Sequence, residues 1–270
     1  MNRNFLRQVW LCCRMQYRKW GESPKISVFA GLIVLMVHFQ LRDLNDYEQV
    51  HGLRCTVWII PYLFFPLMLL AVSLIVTALF SSAPFYDPHA VFVLSKTGRK
   101  PWFCGTVLYL FLTSGLFALF LGILPFLLGL PYLDYGLTLR SWYYSRIAAF
   151  SLPEAECIGI CLVWLVSFWL GALILFCNVC LRPGSGIAVA AFFGFFSYLI
   201  NIYPPFARVG YLSPVSWMDV RFLNWSGGSG RHPGILYVTL FLLGTSAAML
   251  TAAWFRFRKS ELTIGKRGAQ

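Results

Sequence analysis

Cys177 and Cys180 are separated by two residues, the spacing of a redox dithiol or of half a zinc site, and Glu154 and Glu156 form a carboxylate pair of the kind that divides acid and base work. The cysteines have no second pair and no neighbouring histidine, so they read as small apolar residues at a helix end. Glu154 and Glu156 alternate on a loop at the mouth of an apolar run, which places both in water. H-E-x-x-H and G-x-S-x-G do not occur, and no acid pair lies inside an apolar run to serve as protease or phosphatase machinery. Gly265-Lys266 lacks the upstream glycine and the following hydroxyl of a phosphate loop, so the chain alone has no cradle for ATP. No catalytic, cofactor or metal residue is expected.

What must position any functional residue is overwhelmingly apolar. Of 270 residues, 59% are apolar and 12% charged, against soluble averages of roughly 45 to 50% and about 25%, which excludes a soluble fold. Crossing about 30 Å of hydrocarbon takes roughly 20 apolar residues. Six runs qualify: Ile26 to Leu41, Val57 to Phe80, Phe103 to about Leu124, Cys157 to Leu181, Gly184 to Tyr203 and Ile235 to Phe255. The first is short, with sixteen residues between Lys25 and Arg42. The third run continues through Pro125 and Pro131, so its helix is expected to stop near Leu124. The fold class is therefore an all-α integral membrane protein with six transmembrane helices.

The charge balance orients these spans. The formal net charge is +12, and fifteen of the 22 Lys and Arg fall in residues 1–25, the loop 81–102, Arg182 and the tail 256–270, where only Glu22, Asp87 and Glu261 oppose them. The other seven, all arginines, are matched by seven acids on the opposite side. Cations are retained on the cytoplasmic side, so both termini are cytoplasmic, and the surplus reports topology and lipid contact, not a nucleic-acid partner. On this topology Cys12, Cys13, Cys104, Cys177 and Cys180 lie on or near the reducing side, and only Cys55 and Cys157 could meet outside.

Three segments have their own organisation. Within residues 1–25, Phe5, Val9, Cys13, Tyr17 and Trp20 share one helical face and Arg3, Arg7, Arg14 and Arg18 the other, which predicts an interfacial helix whose aromatics dip into the headgroups. In the loop 81–102, Asp87 caps, Pro88 suits the first helical position, Lys96 favours the C-terminal dipole and Gly98 closes a two-turn helix in the left-handed conformation. Its Ala90, Val91 and Leu94 form an apolar stripe open to a partner protein, unless the helix is a surface turn packed on its own span ends. The segment 204–233 interleaves aromatic residues with prolines and arginines, as expected of short re-entrant or interfacial helices on the outer side.

In this order the elements resemble the permease subunits of type-two ABC exporters. The local resemblance lies in Ser95-Lys96-Thr97-Gly98-Arg99-Lys100-Pro101-Trp102, in Tyr211-Leu212-Ser213-Pro214-Val215-Ser216-Trp217 and in the tail Arg256-Phe257-Arg258-Lys259-Ser260-Glu261-Leu262. The resemblance implies a spanning domain over 26–255 with a basic tail 256–270, and a coupling helix through which Asp87, His89, Ala90, Val91, Leu94 and Arg99 contact a cytoplasmic ATP-binding subunit. ATP and Mg would be held by that subunit, with none bound by this chain. A second permease subunit, this chain or a paralogue, completes the complex. Tyr62, Phe64, Phe65, Phe195, Phe196, Tyr198 and Asn201 are the expected path for an amphipathic peptide, lipid or drug across a plasma membrane, expected to be that of a bacterial cell. The alternatives are a scaffold or sensor, a secondary transporter and an intramembrane enzyme. Ion coupling is disfavoured because the six runs hold no acid, and His38, Asn178 and Asn201 are isolated in them.

Overall fold

The computed structural model describes residues 3–21, 24–51, 66–80, 94–129, 152–182, 184–203, 210–224 and 233–259. These are helical nearly throughout. Seven α-helices are described: α1 (Arg3–Gly21), α2 (Pro24–His51), α3 (Pro66–Phe80), α4 (Arg99–Gly129), α5 (Leu152–Cys180), α6 (Ser185–Ile202) and α7 (Ile235–Lys259). Residues 210–212 are 3₁₀ helical, and two further 3₁₀ helices, η1 (Pro214–Met218) and η2 (Val220–Phe222), precede the last. There is no strand among the described residues, only an isolated bridge between Asn224 and Gly234.

Among the described residues, three helices are long and apolar enough to cross a membrane: α4, α5 from Glu156, and α7. Residues 70–80 of α3 and 185–200 of α6 form shorter apolar helices. The centre of the bundle is α5, which packs on α3, α4, α6, α7 and η1 and buries Leu162, Val163, Val166, Leu170 and Ile174. Around it, α1 lies along α4, and α3 pairs with α6.

Helix ends correct several expectations. The first apolar run stops at Leu41, but α2 continues to His51, because Arg42 to His51 contains neither Gly nor Pro and its residues tolerate a helix. Pro125 does not end the third run: it sits inside α4, which stops one turn later at Gly129. Proline removes one backbone donor, a loss that neighbouring turns and packed helices absorb within a spanning segment. At the fourth run, α5 starts five residues before Cys157, with Pro153 at its second position and Glu154 in its first turn, where the helix dipole favours an acid.

Within 210–224, η1 is not at the surface, whereas Leu212 before it is 62% exposed. Pro214, Val215, Ser216, Trp217 and Met218 are all buried, packed against α5 and α6. The aromatic-rich sequence suited an interface, but the side chains find protein in place of headgroups.

Candidate functional site

Residues 94–97 are helical and lead into α4 through Gly98, whose φ of 83° is the left-handed conformation expected of it, and whose N–H donates to the Leu94 carbonyl at 2.9 Å. Of the residues expected to contact an ATPase, Asp87, His89, Ala90 and Val91 lie outside the described residues. Leu94 and Arg99 are described, and each has contacts within this chain. Leu94 is 6% exposed and belongs to the chain's own buried cluster, so its side chain is covered by this chain. Arg99 turns towards the end of α7, where its Nη1 donates to the Phe257 carbonyl at 3.5 Å and to the Arg258 carbonyl.

The same junction holds α1. Cys12 Sγ donates to Thr97 Oγ1 at 3.7 Å, Gln16 Nε2 to Thr106 Oγ1 at 2.9 Å, and Thr113 Oγ1 to the Tyr17 hydroxyl at 3.2 Å. Lys100 Nζ stands 5.7 Å from the centre of the Phe5 ring. Val9, Cys12, Cys13 and Gln16 are buried, so the face expected to dip into headgroups is instead covered largely by α4. Leu6, Trp10 and Leu11, alongside Arg7, Arg14 and Arg18, form the exposed surface. Helical periodicity identified an apolar face, but a lipid tail and a protein neighbour select for the same face. The buried polar Gln16 was the signal for protein. Burial raises the Cys12 thiol, with the Thr97 hydrogen bond opposing, and pushes Cys13 up to about 11, with Cys12 adding to the effect. The pair is chemically quiet.

The expected path residues divide similarly. Tyr62, Phe64 and Phe65 lie outside the described residues, as does the side chain of Asn201, whose backbone is in α6. Phe195 is 52% exposed, with Phe196 and Tyr198 half-buried beside it. Phe195 stacks on Tyr198, and Phe196 lies parallel to Phe192, an exposed ring that sequence reasoning did not single out although it is one turn away.

Behind this aromatic wall the packing is close and polar. A Cβ on Gly194 would come within 2.2 Å of Ser73 Oγ, so glycine admits α3 against α6. Ser197 and Ser216 share a hydrogen bond of 2.8 Å, Ser213 and Ser216 one of 2.7 Å, and the Trp217 indole N–H donates to the Gly210 carbonyl at 2.9 Å. Asn178 is not isolated either: its Oδ1 accepts the backbone N–H groups of Gly184 and Gly186 at 3.1 and 3.0 Å, tying the start of α6 to α5.

Glu156 is helical rather than on a loop. Its Oε2 is buried with no hydrogen-bond partner among the described residues, and its Oε1 lies 3.6 Å from where a Cβ on Gly122 of α4 would stand. The helices long and apolar enough to cross a membrane are therefore not free of acid: Glu156 is the first residue of that stretch in α5. The sequence placed this carboxyl in water because the apolar run begins after it, while the helix begins before it.

No family model, no curated protein and no solved structure matches the sequence.

Proposed function

We propose that the chain is the membrane-spanning permease subunit of a type-two ABC exporter, moving an amphipathic or hydrophobic cargo with energy from a separate ATP-binding subunit. The observation that best supports this is the order of elements: an amphipathic helix laid on the start of a long apolar helix, a Gly98-closed turn at that start, and a buried 3₁₀ segment before the last apolar helix. In this reading residues 1–25, 81–102 and 256–270 are cytoplasmic, and 204–233 approaches from outside. ATP binding would close the partner subunits, and the turn before α4 would transmit that movement to a path bordered by the α6 aromatics. A second permease subunit faces that path, and cargo selectivity would come from an apolar, aromatic lining.

Affinity purification in mild detergent tests the reading. A subunit carrying a phosphate loop is expected to co-purify, while the isolated chain neither binds nor hydrolyses ATP. ATP turnover by the isolated chain, once contamination is removed, would end the proposal.

Glu156 favours a second reading, ion-coupled transport, because an acid inside a spanning helix is a position where a cation can be held. The two separate cleanly. Under ion coupling, Glu156→Gln abolishes transport and ATP depletion does not; under the permease reading the outcomes are reversed.

A further inference from the structure

We infer that Arg99 is a clasp through which movement of the turn before α4 reaches α7, so that the last helix answers to the ATPase subunit together with α4. The source of movement rests on the permease reading; the clasp itself rests on geometry.

A helix leaves its last carbonyls without intrahelical partners, and its C-terminal end carries partial negative charge. Near the end of α7, a single Arg99 nitrogen, Nη1, donates to the Phe257 and Arg258 carbonyls. Such charge-assisted bonds are stronger than neutral ones. Arg99 itself stands in the first turn of α4, where a cation opposes the dipole of its own helix. Its placement is thus explained by α7, which already has Arg256, Arg258 and Lys259 in its last turn, and not by α4. A residue that disfavours its own helix while completing another marks a connection between the two.

The clasp is braced on both sides. Next to it, Phe103 of α4 lies 5.3 Å from Trp254 and 6.0 Å from Phe257, ring centre to ring centre. Before it, Gly98 in its left-handed conformation is the pivot, with Leu94 anchored in the core and Thr97 bonded to Cys12. A push on the turn therefore meets α1, α4 and α7 at one point. The main packing of α7 is on α5, and beside the Phe103 ring contacts Arg99 is the hydrogen-bonded link from the start of α4 to the end of α7.

The test is hydrogen–deuterium exchange on the full chain purified with its ATPase subunit, with and without a nonhydrolysable ATP analogue, for wild type, Arg99→Ala and Arg99→Lys. In Arg99→Ala without nucleotide, amides at the end of α7 should exchange about fivefold faster, the effect of losing one helix-end interaction. In wild type, nucleotide should alter exchange at the start of α4 and at the end of α7. In Arg99→Ala only the α4 response should persist, with the ATPase still bound, and Arg99→Lys should restore part of the α7 response. A merely structural cap would change the basal exchange and leave the nucleotide response intact, which overturns the inference. So does a wild-type α7 that ignores nucleotide. If no ATPase co-purifies with wild type, the permease reading fails and transmission fails with it, while basal exchange still reports whether the clasp exists.

Discussion

The Gln16 side-chain amide donates to Thr106 Oγ1 at 2.9 Å in a buried setting, joining α1 to α4 across 90 residues of sequence. Thr106→Val would leave that amide unpaired inside the molecule, at about 1–3 kcal/mol. The thermal midpoint in mild detergent should fall, and adding Gln16→Met should recover most of it. Strictly additive losses in the double variant would show that the bond is not what couples the helices.

Gly105 sits where a Cβ would approach Cys12 Cβ to 2.6 Å and the Val9 carbonyl oxygen to 2.9 Å. Because one obstacle is backbone, Gly105→Ala must lift α1 from α4, costing about 1–3 kcal/mol and opening residues 3–21 to protease. Gly244→Ala is the control, since nothing lies within 4 Å of its Cβ position, and it should be neutral or stabilising.

Leu94→Ala should destabilise the chain itself by about 2–5 kcal/mol, because the side chain is buried in the core. Folded yield in the absence of any ATPase is the measurement. Unchanged yield with lost ATPase binding would return Leu94 to the docking surface.

Cys12 and Cys13 should resist a membrane-permeant maleimide at neutral pH while folded. A raised pKa means less thiolate at every pH below it, so the Cys13 rate should keep rising past the ordinary value of 9.0 towards about 11, whereas the unfolded chain levels off near 9.0. Peptide mass analysis after timed labelling reads both.

The charge partition requires residues 81–102 inside and 204–233 outside. In a chain without native cysteines, Ser229→Cys should react with an impermeant thiol reagent on intact cells and Lys96→Cys only after permeabilisation. The reverse pattern would invert the topology.

Run length, composition and punctuation determined what can be decided locally. An apolar stretch bounded by Gly184 and Tyr203 is a helix whatever surrounds it, and the glycine at position 98 stops one because only glycine takes φ of 83° cheaply. The same holds for the start of α7 at Ile235. Tertiary structure alone decided what each apolar face meets. Leaving water favours an apolar side chain about equally whether lipid or protein receives it, so Leu94 and the Val9–Cys13 face could not be assigned by hydropathy. It also decided which distant polar groups pair. Arg99 with the end of α7, Ser197 with Ser216 and Gln16 with Thr106 are contacts between separate helices, and no periodicity within one helix encodes the partner on another.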